Sequence, residues 1–282
     1  MKISNNIEAI DLALYANNHL ILADFHIGYE EALNKQGLLV PRFQFEEIIK
    51  RLESIFLRLK NKSIEKIIVN GDLKHEFGTI SEQEWRLTLR LLDFLEKHCK
   101  EIILIKGNHD TILGPIAQKR NIKVLEHYLI HSQVSIFKKE TLFKKSMKNT
   151  MKKASLIKNS LKKLNKKIEN NNILVIHGDK MPSKELLDGA STIIIGHEHP
   201  AVSIREGPRA ELFKCYLVGK WKGKNLIAQP SFNLVVEGSD VLKEEILSPF
   251  LRQSLSSFDV FVVADKVYGF GKLEVLRKEF RF

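Results

Sequence analysis

The sequence predicts an α/β protein built from layers of sheet and helix. Five short apolar runs have the length and β-branched content of buried strands, and stretches of helical periodicity lie between them. The last 80 residues or so instead contain further short strand-like runs separated by turns with Gly or Pro. Alternating strands and helices are typical of a layered α/β fold rather than an all-helical bundle.

The five early strands are predicted at residues 19–23, 67–69, 102–105, 173–176 and 192–195. Between them, residues 44–60 carry an apolar stripe at helical spacing just after Pro41. Ser81 and Glu84 form a capping-box pattern, which predicts a second helix that ends near His98. Further strands are predicted at residues 202–204, 213–218, 226–228, 234–236, 260–263 and 273–276.

Length and composition are those of an ordinary globular enzyme. The 282 residues are 44% hydrophobic and 28% charged, and no run approaches the 18 or so apolar residues that a membrane span needs. The N-terminus has no apolar signal segment, and Cys99 and Cys215 lack metal-binding or disulfide spacing. We therefore expect a cytoplasmic protein with no stable membrane insertion. Without an internal repeat or linker, we also expect a single domain over residues 1–282.

The net charge of +11 is concentrated in one insertion at about residues 138–170. Residues 137–169 contain twelve lysines and two glutamates, so the rest of the chain carries only +1. Apolar residues recur there at helical spacing, which predicts basic helices. Four roles remain open for this lysine-rich insertion: packing on the body, gripping a nucleic-acid backbone, docking a partner, and weak association with a membrane surface. The segment contains no Tyr or Trp, which argues against sequence-specific readout of bases.

Each of the five early strands is followed within three residues by Asp, Asn or His. The five motifs are Asp24-Phe25-His26, Asn70-Gly71-Asp72, Gly107-Asn108-His109-Asp110, His177-Gly178-Asp179 and Gly196-His197-Glu198-His199. Taken alone, the short motifs are more often ordinary turns, hydrogen-bonded pairs or core histidines than ligand sets, whereas the four-residue run at 107–110 is a sharper signal. Five in chain order at predicted strand ends indicate a ligand site, because loops at the carboxyl ends of strands converge in layered α/β folds. The mixture of carboxylate, imidazole and amide donors suits manganese, zinc or iron and does not suit calcium.

The five motifs resemble those of the calcineurin-like metallophosphoesterases. The resemblance implies a β-sandwich flanked by helices, with two divalent metal ions at one edge. By motif position, the first ion is expected on Asp24, His26, Asp72 and His199. The second is expected on Asp72, Asn108, His177 and His197. The resemblance also implies that His109 protonates the leaving oxygen and that Asp110 orients His109.

A narrower resemblance lies in the run that begins at Asp24, in Pro41 and in the Pro-Ser-Phe-Asn run at 230–233. These residues look like an archaeal subfamily related to ligase-associated DNA exonucleases and, more distantly, to double-strand-break-repair nucleases. His75 follows Asp72 by three residues, as in those repair nucleases. His75 is therefore expected either to help the substrate phosphate or to support a neighbouring ligand. The insertion departs from the compact members of the family.

The expected reaction is attack of a metal-held hydroxide on phosphorus, with His109 as the general acid. Asp72 is expected to bridge the two metals because a carboxylate has two oxygens, whereas Asn108 and each imidazole offer one donor atom. Glu198, between two ligand histidines, is expected to be solvated or to support its neighbours.

Two classes of function remain open at this point. One is an enzyme acting on a nucleic-acid phosphodiester, with nucleotides or small phosphomonoesters as the alternative. The other is a non-catalytic scaffold of the same fold, which the complete ligand set disfavours. We expect Mn²⁺ as the metal, with Zn²⁺, Fe²⁺ or Ni²⁺ as alternatives. DNA or RNA is a candidate partner through the insertion, and a homo-oligomer is left open.

Overall fold

A computed structural model of the protein describes residues 1–78, 80–132 and 172–279. Two β-sheets pack face to face and helices flank them, which confirms the predicted layered α/β fold. The lysine-rich insertion at about residues 138–170 lies outside the described residues. No helix in these three ranges is long and apolar enough to cross a membrane.

The first sheet has seven strands that lie side by side in chain order. They are β1 (Lys2–Ser4), β2 (Ile7–Ile10), β3 (Ala13–Ala16), β4 (His19–Leu22), β5 (Lys66–Asn70), β6 (Glu101–Ile105) and β7 (Lys123–Leu125). Strands β1 to β4 pair antiparallel, whereas β4 to β7 pair parallel. The turn between β3 and β4 is Asn17-Asn18, with φ of 47° and 63°. Two consecutive left-handed residues are typical of a type I′ hairpin turn, and Asn tolerates that conformation.

The second sheet has nine strands. They are β8 (His127–Ile130), β9 (Ile173–Ile176), β10 (Thr192–Ile195), β11 (Pro200–Glu206), β12 (Arg209–Trp221), β13 (Lys224–Ala228), β14 (Ser239–Asp240), β15 (Asp259–Val263) and β16 (Val267–Lys272). Seven of them lie in the order β14-β11-β12-β13-β10-β9-β8, while β15 pairs with β12 and with β16. Strands β9, β10 and β13 are parallel.

Six helices lie in the described residues. They are α1 (Tyr29–Lys35), α2 (Gln44–Arg58), α3 (Glu82–Glu96), α4 (Gly114–Lys119), α5 (Lys184–Asp188) and α6 (Leu273–Glu279). Helix α2 buries the apolar stripe seen in the sequence, and the predicted capping box of Ser81 and Glu84 opens α3.

Strands β9 and β10 are buried on both faces, which explains why they are almost wholly apolar. Ile173 and Val175 of β9 face a core shared with the first sheet. Leu174 and Ile176 face a second core under α6 and the chain around Phe250. This alternation with a period of two fixes the register of the strand, since a slip by one residue would exchange the two faces.

Two of the predicted strands are absent from the structure. Residues 234–236 lie in a turn-rich segment, and residues 273–276 begin helix α6. In α6, Leu273 and Leu276 are buried while Glu274 and Val275 are exposed. A spacing of three places both leucines on one face of a helix, whereas a strand would point them to opposite sides.

The carboxyl ends of β4, β5, β6, β9 and β10 come together at one edge of the two stacked sheets. Backbone hydrogen bonds join the loops that follow them. Asp24 N–H donates to Gly71 O over 3.2 Å, and His26 N–H donates to Asp72 O over 2.9 Å. In the second sheet, Gly196 N–H donates to His177 O over 2.9 Å. The rigid sheets therefore hold the polar loops at one fixed position.

Candidate metal centre

All seven side chains expected to bind metal meet at this edge of the sheets. Asp24, Asp72 and His177 are buried at its floor, with relative exposures of 0–1%. Asn108, His197 and His199 are half-buried at its rim, and so is His109. The centre is thus closed below by the two sheets and open to solvent above.

Four side chains form the first donor group, namely Asp24, His26, Asp72 and His199, with one ligand atom of each within 4.8 Å of the others. The Nε2 atoms of His26 and His199 lie 3.3 Å apart. His26 Nε2 lies 3.7 Å from Asp72 Oδ2, and His199 Nε2 lies 3.5 Å from Asp24 Oδ1. The ligand atoms of these four side chains therefore face one small space.

The second donor group contains Asp72, His177 and His197, whose ligand atoms also lie within 4.8 Å of one another. His177 Nε2 lies 3.4 Å from Asp72 Oδ2 and 2.9 Å from Asn108 Oδ1. Asn108 therefore adds its amide oxygen to this group. Asp72 belongs to both groups, as expected of a bridging ligand.

Asp72 presents one oxygen, not two, to the pair of groups. Its Oδ2 is the atom near both His26 and His177, while its Oδ1 accepts the backbone N–H of His109 over 2.8 Å. Bridging was expected to use the two oxygens of the carboxylate, whereas in this arrangement Oδ2 is the oxygen near both groups. A carboxylate oxygen has more than one acceptor direction, so Oδ2 alone can serve two cations.

The donor atoms fit divalent cations. Asp24 Oδ1 is buried and has no hydrogen-bond partner among the described residues. A buried polar atom without such a partner destabilises a protein by about 1–3 kcal/mol, and by more when the group is charged. Burial lowers the pKa of His177, but the neighbouring Asp72 and Asp24 carboxylates outweigh burial and raise that pKa to about 9. These carboxylates thus hold a proton on His177 that a divalent cation can replace, because metal binding releases protons from its ligands.

Five of the proposed ligand residues have a left-handed backbone, which is uncommon outside glycine. They are Asp24 (φ 55°), His26 (46°), Asp72 (43°), His197 (63°) and His199 (49°). Each such residue costs roughly 1–3 kcal/mol and persists only where the surrounding structure enforces it, typically at functional sites.

The motif glycines make room for ligands that come from other loops. A Cβ atom on Gly71 would lie 2.0 Å from His177 Nδ1, and one on Gly107 would lie 2.1 Å from Asp72 Oδ1. A Cβ atom on Gly196 would lie 2.6 Å from Asp24 Oδ2. These glycines are therefore required by close packing of the centre itself.

His75 and His109 lie beside the first donor group. His75 Nδ1 is 3.3 Å from Nδ1 of His26, on the opposite side of the His26 ring from its Nε2. The ring is therefore placed to support a proposed ligand. His109 Nδ1 lies 2.5 Å from the carbonyl oxygen of His75. Since a carbonyl only accepts, this contact assigns the proton to Nδ1 of His109.

Asp110 does not make the contact expected of it. Its carboxylate accepts hydrogen bonds from the backbone N–H groups of Gly107 (3.1 Å), Leu73 (3.3 Å) and Lys74 (3.4 Å). The ring of His109 instead contacts the carbonyl oxygen of His75. Burial and the Asp72 charge raise the pKa of Asp110 to about 6, although the three N–H donors act to lower it. Asp110 therefore holds two ligand-bearing loops together.

Glu198 is buried rather than solvated. Its Oε2 accepts the N–H of Ser248 over 2.7 Å and that of Leu247 over 3.1 Å. Burial raises its pKa to about 7 despite these donors. Of the two expectations for Glu198, support of the neighbouring loop fits the structure, and solvent exposure does not.

Two supporting residues were not found from the sequence. Glu84, identified only as part of a capping box, also accepts the N–H groups of His75 and Glu76, both over 2.9 Å. Lys74 is fully buried, and its Nζ donates to the backbone oxygen of His109 over 2.8 Å. For Lys74, the only signal in the sequence was its position between Asp72 and His75, in a loop that follows a buried strand.

A family model and solved structures relate the chain to known proteins. Residues 19–201 match the family model of the calcineurin-like phosphoesterases. A comparison with curated protein sequences gives no match. Among solved structures, nuclease MPE of Pseudomonas putida aligns over 92% of both chains, with a TM-score of 0.53 and 16% identity, which shows a shared fold.

Two further solved structures align less well. A protein of unknown function from Aquifex aeolicus aligns over 64% of this chain and 78% of its own, with a TM-score of 0.34 and 16% identity. The phosphopantetheinyl hydrolase PptH of Mycobacterium tuberculosis aligns over 76% of this chain and 89% of its own, with a TM-score of 0.31 and 12% identity.

The family match extends over well more than half of the chain and includes all five motifs. The narrower resemblance to an archaeal subfamily stays a prediction. The chain belongs to the calcineurin-like phosphoesterase family and is a metal-dependent phosphoester hydrolase.

Proposed function

We propose that this protein is a two-metal phosphodiesterase that cleaves nucleic acid. The observation that carries the two-metal part is the position of Asp72 Oδ2, which lies 3.7 Å from His26 Nε2 and 3.4 Å from His177 Nε2. Two donor groups that share one carboxylate oxygen can hold two cations close together. The fold shared with a nuclease over 92% of both chains supports the choice of substrate.

Asp24, His26, Asp72 and His199 would hold one divalent ion, and Asp72, Asn108, His177 and His197 would hold the other. When bound, such ions would supply polarisation of the phosphate oxygens and a lowered pKa for the attacking water. Imidazole and oxygen donors together suit Mn²⁺, which we propose ahead of Zn²⁺, Fe²⁺ and Ni²⁺.

His109 is proposed as the general acid. Its Nδ1 is held by the His75 carbonyl, which leaves Nε2 as the free nitrogen of the ring. The ring is half-exposed and stands perpendicular to that of His26, at 4.8 Å between centroids. Once protonated, Nε2–H can donate to a leaving oxygen bound at the rim, and the fixed Nδ1 contact keeps the ring in that orientation.

The open rim supports a polymeric substrate. Asn108, His109, His197 and His199 are all half-exposed, so a phosphate within a chain can reach the centre without being enclosed. A site for a small phosphomonoester would more commonly be a closed pocket that covers most of its ligand.

The test compares substrates in the presence of Mn²⁺. We expect hydrolysis of bis-p-nitrophenyl phosphate to exceed that of p-nitrophenyl phosphate, and we expect cleavage of at least one of single-stranded DNA, double-stranded DNA and RNA. Hydrolysis of the monoester or of cyclic nucleotides alone, with every nucleic acid left intact, would contradict the proposed substrate class.

A further inference from the structure

A row of four aromatic rings borders the first donor group. In order along the row they are Tyr29, His75, His109 and Phe77, which we call the aromatic row. The distances between successive ring centroids are 4.4 Å, 5.2 Å and 3.8 Å. These are contact distances for aromatic rings, so the row forms a continuous wall beside the centre.

Phe77 ends the row and is largely exposed. Its relative exposure is 58%, although one of its faces lies against His109. A large exposed aromatic ring loses the stabilisation that burial gives, and such rings are enriched where proteins bind partners or ligands. Its outer face therefore offers apolar surface directly beside the proposed general acid.

The backbone on both sides of Phe77 is held in place. Glu84 accepts the N–H of Glu76 over 2.9 Å, and the Glu76 side chain pairs with Lys35 at 2.9 Å. On the other side, Gly78 N–H donates to Thr111 Oγ1 over 3.1 Å. The ring is thus presented at a fixed place relative to the centre.

We propose that Phe77, backed by His109, stacks on the nucleobase of the nucleoside that leaves during cleavage. The inference rests on the proposed function. His109 donates its proton to the leaving oxygen, so the group attached to that oxygen lies on the His109 side of the centre, where Phe77 is. A flat ring at the end of a wall of rings suits the face of a nucleobase better than a flexible aliphatic group.

The recognition is expected to be blind to base identity. The Phe77 ring carries no hydrogen-bonding group, and every base has an aromatic face that can stack on it. The function of Phe77 is therefore to position the leaving nucleoside and to favour substrates that carry a base there.

The experiment uses two phosphodiesters with the same scissile bond and Mn²⁺ as the metal. One is a dinucleotide, and the other is its analogue with an abasic sugar on the leaving side. Base–aromatic stacking contributes about 1–3 kcal/mol, so we expect the wild type to favour the dinucleotide by about 5- to 150-fold in kcat/KM. Phe77→Ala should lower kcat/KM for the dinucleotide by a similar factor and affect the abasic analogue much less.

Two variants serve as controls. Phe77→Tyr keeps a planar ring and should retain the preference. Phe270→Ala removes another partly exposed phenylalanine on strand β16 and should change neither substrate. Thermal unfolding of each variant checks the fold, which an exposed side chain should leave unchanged.

The other outcomes overturn the inference in distinguishable ways. Equal losses on both substrates in Phe77→Ala would show that Phe77 acts by shielding or orienting His109. Equal wild-type rates on both substrates would show that no base is bound on the leaving side. If the wild type cleaves neither substrate nor any nucleic acid, the proposed function itself is contradicted, and this inference with it.

Discussion

The ring of His109 is oriented by a backbone carbonyl, and its main chain makes two further hydrogen bonds, one of them to a donor group. Its N–H donates to Asp72 Oδ1 over 2.8 Å, and its carbonyl accepts from Lys74 Nζ over 2.8 Å. The residue is thus fixed relative to the proposed bridging ligand and lies outside the two donor groups that share Asp72. This arrangement allows the proton-transfer role to be separated from metal binding by mutation.

His109→Ala should retain both metals and lose general acid catalysis. We expect substrates with poor leaving groups, such as dinucleotides, to slow by about 10²- to 10⁴-fold, the usual contribution of a positioned acid. Esters of p-nitrophenol should slow much less, since p-nitrophenolate leaves without a proton. Steady-state rates and metal analysis of the same preparations test this, with His127→Ala, an exposed histidine on β8, as the control. Equal losses on both kinds of ester would assign His109 another role.

The motifs identified the side chains that meet at the centre, because polar residues at strand ends converge whatever the details of the loops. Contacts between loops could not be read in the same way. The Asp110 carboxylate meets the backbone of Leu73 and Lys74, some 36 residues earlier in the chain. A sequence shows that a carboxylate is present but does not show which backbone amides surround it.

At the scale of elements, the loop after β6 depends on a glycine for packing. Gly107 has an ordinary backbone angle, but its Cα lies against Asp72. A Cβ atom there would be 2.1 Å from Asp72 Oδ1 and 2.4 Å from its backbone nitrogen. No real side chain fits at such distances, so either the loop or the proposed bridging ligand must move.

Gly107→Ala should therefore weaken metal binding and destabilise the protein. Overpacking of this kind costs typically about 1–3 kcal/mol in the free energy of unfolding. Calorimetric titration with Mn²⁺ and denaturant unfolding measure the two effects. Gly114→Ala is the matched control, since a Cβ atom there meets nothing within 4 Å. Unchanged Mn²⁺ affinity in Gly107→Ala would show that the loop relaxes without disturbing Asp72.

The strands that carry the site were predictable because they are buried on both faces and therefore read as unbroken apolar runs. The N-terminal strands β1 to β3 were not predicted, since each has only three or four residues between polar turns. The sequence predicted a strand where helix α6 begins, because a run of four residues is too short to distinguish the period of a helix from that of a strand. The exposure of both Glu274 and Val275 in the structure fits a helix.

At the scale of the whole molecule, most of the net charge belongs to residues outside the described ranges. The insertion carries about +10 of the net +11, and its role stays a prediction. The residues that flank it are close together. Ile130 of β8 pairs with Ile173 of β9, and Ser132 N–H donates to Asn172 Oδ1 over 3.3 Å. The two sheets can therefore be kept while much of the insertion is removed.

Deletion of residues 140–168 should weaken DNA binding and flatten the dependence of log affinity on log salt concentration. Lysines that contact phosphates release counterions, and each lost contact reduces that slope by roughly one. Hydrolysis of bis-p-nitrophenyl phosphate should stay unchanged, because the deletion leaves the donor groups intact. Binding measured over a series of salt concentrations tests this, and an unaltered slope would leave the insertion as a packing or partner element.

The most direct test of the two-metal centre is the number of Mn²⁺ ions bound per chain at saturation, measured together with activity. The two donor groups share Asp72 and together contain seven candidate ligand side chains, which are too many for one four-coordinate ion. We predict two ions per chain in the wild type, and we predict that Asp72→Asn loses activity outright because both donor groups depend on that carboxylate. One ion per chain with full activity would contradict a two-metal centre.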